Sequence, residues 1–350
     1  MRILFITRLD PKNKNAWSGT LYQIYAKLKE KHSVEIAGTD IIKQLRLFSK
    51  DSFSDDTFLL VDRYISKLNA LLSERINFLD FDLVFFGDIF FSTLEIDIPL
   101  IYLSDMTYEQ NNIHYKKDPE KRNFEPCINL EKILLNNAYR IIFSSEWIKQ
   151  KAVEFYDLDA AKIEVVEFGA NIPTPRNYTV EINTEICRLV FIGLDWERKG
   201  GDKLLQIYEI LKKDGFPCTL TIIGSMQKEV PDTFEDLTVI PFLNKTKPAD
   251  AEKLCKVLSE SHFFVLPTRF DAFGIVFCEA SAYALPSITA DVGGVSQAVK
   301  DGKNGYLLPA DATAEDYAEK IKSVFNDRES YLKLRKSSRK EFEARLNWDV

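Results

Sequence analysis

The sequence predicts an α/β protein with two domains, each built on a parallel β-sheet covered by helices. Short apolar runs alternate with longer amphipathic stretches along the chain, and a segment rich in breakers divides them into two series. The short runs are apolar throughout rather than at alternate positions, which is typical of parallel strands buried on both faces. Strands that alternate with helices indicate βαβ units. The pattern therefore favours two Rossmann-like domains.

Six apolar runs predict the strands of the first sheet: Arg2–Thr7, Val34–Gly38, Phe81–Phe86, Leu100–Leu103, Arg140–Phe143 and Ile163–Val166. Five more predict the second: Arg188–Gly193, Cys218–Gly224, Leu237–Phe242, His262–Pro267 and Pro286–Thr289. Helical periodicity of apolar residues predicts helices such as Lys203–Lys213, Ala249–Leu258 and Ala314–Phe325. The segment Gly169–Thr179 lacks this periodicity and contains two prolines, so we interpret it as the linker.

These features predict an N-terminal domain over residues 1–170 and a C-terminal domain over residues 171–328. The last stretch, residues 329–350, is helical by composition and is treated as a separate C-terminal segment. Each of the two domains is long enough to bury its own core.

Composition excludes several classes of protein. The 350 residues are 45% apolar and 28% charged, the balance of a globular protein, and the net charge of -7 argues against nucleic acid as a partner. Five scattered cysteines and three histidines predict reduced thiols and no zinc site. The N-terminus is too short in apolar residues for a signal peptide, and no run approaches a membrane span. We therefore expect a cytoplasmic protein.

One polar stretch, Gln110–Asn123, carries a basic cluster of Lys116, Lys117, Lys121 and Arg122. We interpret it as a solvated loop. The alternative is contact with an anionic acceptor or a membrane surface, which predicts weak peripheral association with the inner face of the membrane.

The densest chemical signal follows the strand that ends at Pro267. A turn of small residues leads into a helix from Ile275, so the N–H groups around Phe273, Gly274, Ile275 and Val276 face the carboxyl end of the sheet. Such a helix end binds anions and suits a pyrophosphate.

Two acids flank this predicted anion site. Glu279 lies five residues into the helix, about 7.5 Å along its axis, where a carboxylate reaches the hydroxyls of a ribose. Asp271 lies before the helix and points to a sugar on the other side. An acidic pair at this spacing is usually solvated surface, but Phe277 and Cys278 beside Glu279 predict burial. A buried acid needs a partner, and a ligand hydroxyl is one candidate.

This region resembles retaining GT-B glycosyltransferases of family 4. The hallmark Glu-x7-Glu is matched by Asp271-x7-Glu279, with Asp in place of the first Glu, and is followed by Gly293-Gly294 and by Asn304–Leu307. The resemblance implies two Rossmann-like domains facing a central cleft, the donor on the C-terminal domain and the acceptor on the N-terminal one. It also implies that Asp271 touches the donor sugar and Glu279 the ribose.

A second match begins at Gly193 and ends in Lys199-Gly200, similar to the family's Gly-Arg-Leu-x-x-x-Lys-Gly. The resemblance implies that Lys199 binds the donor diphosphate. Leu194 stands where the family has Arg, and Arg198 is the natural substitute for that charge; the alternative for Arg198 is a surface base at a helix start. Fixed positive charge stabilises a diphosphate leaving group when no metal supplies it.

Two N-terminal residues complete the set. Gly19 lies in Ala16–Thr20, where the family carries a Gly-rich loop close to phosphate and acceptor; a plain helix-start turn is the alternative. Asp105 follows a strand at its carboxyl end, where open α/β sheets bind ligands, and is expected to orient acceptor or sugar. An Asx-turn is the alternative for Asp105. The Asp80-Phe-Asp82 sequence is interpreted as structural, so no metal is implied.

Together with these residues, the resemblance implies a retaining, metal-independent glycosyltransferase of the hexosyltransferase type. Its donor is a UDP-, GDP- or ADP-linked sugar, with no other cofactor, and its acceptor is a glycan, a lipid-linked molecule or a small molecule. The resemblance implies same-face displacement, and it implies that residues 329–350 cross back to the N-terminal domain. Two alternatives stay open: a non-catalytic relative that binds a partner enzyme or peptide, and a nucleotide-sugar epimerase on the same fold.

Overall fold

The computed structural model describes residues 1–41, 62–87, 94, 96–115, 124–175, 178–181, 183–224 and 236–350. The chain divides into two compact units, Met1–Val166 and Glu167–Val350. Each unit contains one six-stranded sheet in which every pair of neighbouring strands is parallel. The predicted α/β class with two Rossmann-like parallel sheets is confirmed.

The sheet of the first unit has the order β2-β1-β3-β4-β5-β6. Its strands are β1 (Arg2–Ile6), β2 (Ser33–Ala37), β3 (Leu83–Gly87), β4 (Leu100–Ser104), β5 (Arg140–Phe143) and β6 (Ile163–Val165). All five residues of β3 are buried. Burial on both faces is what the continuous apolar run in this part of the sequence predicts.

The described helices of this unit are α1 (Thr20–Lys31), α2 (Asp62–Arg75), α3 (Tyr108–Tyr115), α4 (Phe124–Asn137) and α5 (Glu146–Tyr156). The core packs Leu72 of α2, Leu134 of α4 and Ile148 of α5 in one cluster with Val84 and Phe86 of the sheet.

The sheet of the second unit has the order β12-β11-β10-β7-β8-β9. Its strands are β7 (Cys187–Ile192), β8 (Cys218–Ile223), β9 (Leu237–Ile240), β10 (Phe263–Leu266), β11 (Ser287–Ala290) and β12 (Gly305–Leu308). The central strand β10 lies between β7 and β11, so segments that follow β7, β10 and β11 meet at one edge.

The described helices of the second unit are α6 (Gly201–Lys213), α7 (Pro248–Glu260), α8 (Ile275–Ala282), α9 (Val295–Ala298), α10 (Ala314–Asn326) and α11 (Arg328–Arg345). Six consecutive residues of α8, from Phe277 to Ala282, are buried. A helix buried all round is held on every side. Its position is therefore fixed by its neighbours.

The structure differs from the predicted elements in detail. The Asn304–Leu307 segment, noted only as a motif, overlaps strand β12 (Gly305–Leu308), which pairs with β11. The helix predicted from Ile275 ends at Ala282, and two residues later Ala284 has a left-handed φ of 53°, which does not continue a helix.

The division of the chain falls between Val166 and Glu167, and α11 belongs to the second unit. A crossing of residues 329–350 to the first unit stays a prediction. Of the polar stretch Gln110–Asn123, residues 116–123 with all four basic side chains lie outside the described residues. In the part of the chain that the structure describes, no helix combines the length and apolarity needed to cross a membrane.

Candidate functional site

The loop from β7 to α6 brings Lys199 to the carboxyl edge of the second sheet. Backbone hydrogen bonds fold the loop on itself, from Lys199 N to Asp195 O at 2.9 Å and from Gly201 N to Trp196 O at 2.9 Å. A β-carbon on Gly193 would lie 3.0 Å from Cγ of Lys199, so the lysine stem runs directly beside this glycine. Gly193 thus leaves room for Lys199.

The same loop is joined to the segment that follows β10. Gly200 has a φ of 73°, and a β-carbon there would overlap the carbonyl oxygen of Pro267. Arg269 N donates to Arg198 O at 2.8 Å, and Arg198 Nη1 donates to Phe270 O at 3.0 Å. Backbone and side-chain contacts therefore hold the two loops together.

Lys199 and Asp271 form an ion pair at this junction. Their side chains are only 12% and 11% exposed, so the pair is largely withdrawn from water. Burial lowers the pKa of Lys199, and the carboxylate of Asp271 opposes that shift by favouring the charged ammonium. The two residues that the sequence predicts for diphosphate and sugar are thus brought into direct contact.

Helix α8 begins beside this pair. Gly274, with a φ of 85°, is the N-cap; it supplies no side-chain cap, and the first turn contains no acidic residue. The helix dipole and the N–H groups of the first turn, which includes Ile275 and Val276, therefore present positive potential close to Phe273 and Asp271. This end of the helix has the electrostatic character that a phosphate site requires.

A glycine pair after β11 closes the other side of Asp271. Gly294 N donates to Asp271 O at 3.0 Å. A β-carbon on Gly293, whose φ is 55°, would overlap that same carbonyl oxygen. The Gly-Gly turn noted in the sequence thus fixes the backbone of Asp271.

Glu279, four residues after the start of α8, is 1% exposed and forms an ion pair with Lys245. The sequence predicted burial of this acid and a need for a partner, but it did not identify Lys245. Lys245 lies in a turn in which Thr246 N donates to Asn244 Oδ1 at 3.0 Å and Asn244 N donates to Asp250 Oδ2 at 2.9 Å. The Lys245 side chain is 26% exposed, so it also faces solvent.

The first unit contains a separate group at the ends of β1 and β4. Trp17 Nε1 donates to Asp105 Oδ2 at 3.2 Å, which joins two loops that are far apart in sequence. Trp17, Ser18 and Gly19 have φ values of 47°, 55° and 96°, and Gly19 is the N-cap of α1. Left-handed conformations in two successive non-glycine residues are costly and cluster at functional sites. The sequence singled out Gly19 and Asp105 but not Trp17.

The remaining candidate chemistry is structural in the described ranges. Asp82 Oδ2 accepts from Arg2 N at 2.7 Å, and Asp80 Oδ1 accepts from Asn77 Nδ2 at 3.2 Å, so both acids serve the start of the first sheet. All five cysteines are free thiols. Among the described residues, no three His, Cys, Asp or Glu side chains are grouped to hold a metal ion.

The second-unit site lies within a stretch of the chain that matches a known family. Residues 181–341, somewhat less than half of the chain, match the family described as "Glycosyl transferases group 1". The match covers the Lys199 loop, the Asp271–Glu279 segment and most of α11, but not the first unit.

Curated relatives support the same class. The chain is 26% identical over 256 residues to the D-inositol 3-phosphate glycosyltransferase of Corynebacterium aurimucosum, covering 66% of this chain and 59% of that protein. It is also 26% identical over 234 residues to the capsular polysaccharide biosynthesis glycosyltransferase CapM of Staphylococcus aureus, covering 63% and 61%. The matches thus extend over about three fifths of the length of these relatives.

Solved structures extend the likeness over the whole chain. Sucrose-phosphate synthase from Thermosynechococcus elongatus has a TM-score of 0.71 at 14% identity, covering 100% of this chain and 96% of that one. HepE of Anabaena in complex with UDP has a TM-score of 0.66 at 14% identity, with the same coverages. At this identity the likeness establishes the fold, which is the predicted GT-B fold.

Proposed function

We propose that this protein transfers a sugar from a nucleotide-sugar donor to an acceptor hydroxyl with retention of anomeric configuration. The observation that carries the proposal is the convergence of Lys199, Asp271 and the N-terminus of α8 at the carboxyl ends of adjacent parallel strands. This edge is where open α/β sheets bind nucleotides. The family match over residues 181–341, and the UDP and UDP-glucose bound in HepE structures, support a donor of this class.

In this proposal the second unit binds the donor. Lys199, Arg198 and the first turn of α8 receive the diphosphate, because all three bring positive charge or N–H donors to one edge. Glu279 accepts hydrogen bonds from the ribose, and the exposed flank of Lys245 faces the same nucleotide. Asp271 lies beside the donor sugar and stabilises positive charge that develops at its anomeric carbon.

The first unit binds the acceptor. Asp105, held by Trp17, orients the acceptor hydroxyl or the sugar, and the Gly19 turn leaves the N-terminus of α1 open to a phosphate or hydroxyl group. Transfer requires that the acceptor hydroxyl reach the anomeric carbon of the donor sugar. The acceptor class is a glycan, a lipid-linked molecule or a small molecule.

The proposed reaction is a same-face displacement. The bond between the anomeric carbon and the diphosphate oxygen breaks, and its electron pair stays on the diphosphate, which Lys199, Arg198 and α8 stabilise. The acceptor oxygen forms the new bond on the same face, and its proton passes to the departing phosphate oxygen. Because Lys199, Arg198 and the N-terminus of α8 supply the positive charge at the diphosphate, the proposed reaction needs no divalent metal.

The test begins with a thermal-shift and calorimetry panel of UDP-, GDP- and ADP-sugars. We expect one of the three nucleotide classes to bind. We also expect the sugar to be transferred to the acceptor, and the product, analysed by NMR, to have the same anomeric configuration as the donor. In Glu279→Gln, donor affinity should fall about tenfold or more, because a charged hydrogen-bond acceptor is lost. Binding without hydrolysis or transfer, despite a broad acceptor screen, would support a non-catalytic binding protein instead.

A further inference from the structure

Helix α11 carries three arginines that each reach the C-terminal end of a different helix in the second unit. Arg335 Nη1 donates to Ser261 O at 3.2 Å, just past the end of α7. Arg339 Nη1 donates to Ala282 O, the last residue of α8. Arg345 donates from Nη1 to Gln297 O at 2.8 Å and from Nη2 to Ala298 O at 3.2 Å, the last two residues of α9.

These hydrogen bonds supply donors to backbone carbonyl oxygens that have no partner within their own helix. The last carbonyls of a helix have no partner within it, and they also carry the negative end of the helix dipole. Ala282 and Ala298 are both buried, so water does not readily replace a lost donor. Ala298 O also accepts from Asn304 Nδ2 at 2.9 Å, so Arg345 shares this carbonyl with a second donor. A guanidinium group donates to such carbonyls and offsets the dipole at the same point.

Two of the three helices begin at the donor site. Helix α8 starts at the Gly274 N-cap next to Asp271, and α9 starts at the Gly294 N-cap, whose N–H donates to Asp271 O. The eight residues of α8 span only about 12 Å, so a shift at the C-terminal end is carried to the first turn. Helix α7, which Arg335 reaches, contains none of the residues that we place at the donor; its connection to the site is Asp250, which accepts from Asn244 N in the turn that carries Lys245.

Arg339 and Arg345 each have further contacts that hold the guanidinium group in place. Arg339 Nε pairs with Glu343 at 2.7 Å, and its guanidinium lies 4.7 Å from the ring centre of Tyr178. Arg345 pairs with Glu341 at 2.5 Å and with Glu167 at 3.0 Å. Because these additional contacts also hold both guanidinium groups, we treat the two arginines as supports for the carbonyls that they bind.

We propose that Arg339 and Arg345 are positioning residues for the donor site, acting through the C-terminal ends of α8 and α9, and that Arg335 is not. The proposal rests on the donor site of the proposed function. It extends that site to side chains that touch no part of the donor and lie at the far ends of the two helices.

Lysine substitutions test the proposal, because lysine keeps the charge but loses the forked geometry that binds two partners. The variants are Arg339→Lys and Arg345→Lys, with Arg335→Lys as the matched control on the same helix. At a temperature well below each unfolding transition, we expect the first two to weaken binding of the best nucleoside diphosphate among UDP, GDP and ADP about five- to tenfold. The control should lower the melting temperature while affinity stays within about twofold of the parent.

A second measurement needs no ligand and separates this proposal from the proposed function. In protein labelled with ¹³C-lysine, the εCH₂ signal of Lys199, assigned with Lys199→Arg, reports its pKa. Because Gly294 fixes the Asp271 backbone, a displaced α9 should change this pKa in Arg345→Lys and leave it unchanged in Arg335→Lys. If Arg345→Ala is used, guanidinium ion at a concentration that does not unfold the protein should restore the parental value.

Unchanged nucleotide affinity and an unchanged Lys199 signal in both site variants would overturn the proposal. Equal losses in all three variants would also overturn it, since they would reflect general loss of stability. Should the parent bind no nucleotide, the proposed function fails, and the Lys199 signal still decides whether the arginines position the Asp271 pair.

Discussion

The ammonium group of Lys245 binds the carboxylate of Glu279, an acid buried inside helix α8. Removing one partner of a buried ion pair leaves an uncompensated charge, and such changes typically cost about 3–5 kcal/mol. Lys245 is 26% exposed, which allows water to replace part of its contribution and reduces the expected loss.

Lys245→Met should therefore lower the free energy of unfolding of the second unit by about 2 kcal/mol, as measured by urea denaturation. Lys253→Met, an exposed lysine on α7, is the control and should change stability little. The double variant Lys245→Met, Glu279→Gln should recover most of the loss, because it no longer buries a charge. A loss of equal size in the double variant would contradict this account of the pair.

Asp271→Asn should keep donor affinity near that of the parent and reduce turnover about a hundredfold or more, because its charge acts on the transition state. Calorimetry and steady-state kinetics measure the two quantities. Asp291→Asn, after the neighbouring strand β11, is an exposed control at the same edge. Equal losses of affinity and turnover, or none in either, would remove Asp271 from the catalytic step.

The same substitution should change the pH dependence of donor binding. Burial lowers the pKa of Lys199, and Asp271 raises it. Without the carboxylate that pKa falls further, so the ammonium deprotonates at a lower pH. The pH at which donor affinity declines on the alkaline side should therefore move down in Asp271→Asn, which calorimetry across a pH series measures. An unmoved or upward-shifted decline would show that Asp271 does not hold the charge of Lys199.

A buried acid in the first unit predicts a second pH effect. Glu131 is fully buried, accepts from Tyr108 N at 2.8 Å and from the Tyr156 hydroxyl, and burial raises its pKa to about 7 from 4.5. Because the pKa of Glu131 is higher in the folded state than in the unfolded state, protonation of this carboxyl favours folding. The stabilisation is complete below the unfolded-state pKa and is lost as the pH rises towards 7.

We therefore expect the first unit to lose about 3 kcal/mol of stability between pH 4.5 and pH 7 through this group. Glu131→Gln should flatten that part of the stability curve, which denaturation at several pH values measures. Glu125→Gln, an exposed acid on the same helix, should leave the slope intact. The same slope in Glu131→Gln as in the parent would exclude Glu131 as its source.

Turnover should persist in excess EDTA, because Lys199, Arg198 and the N-terminal end of α8 supply the positive charge that a metal ion supplies in other sites. Initial rates with and without chelator should agree within about twofold. Loss of activity that Mg²⁺ or Mn²⁺ restores would reject metal-independent transfer.

The sequence predicted all strands of the two sheets except β12, because continuous apolar runs report buried parallel strands. The family resemblance singled out Lys199 and Asp271, but the ion pair between them was not predicted. The sequence did not predict the pairing of Lys245 with Glu279 or of Trp17 with Asp105. Those partners are 34 and 88 residues apart, and their turns carry no periodic signal. Nor did it predict the arginines of α11, since a helical pattern shows which face is polar but not which carbonyls that face will meet.

The close backbone contacts described at Gly200 and Gly293 bear on how the proposed donor specificity could be diversified in the laboratory. Any side chain at either position would push a carbonyl oxygen out of place. Leu194, by contrast, is 66% exposed on the same loop as Lys199. A library for altered donor choice should hold both glycines constant and randomise position 194, where new side chains meet solvent instead of main chain.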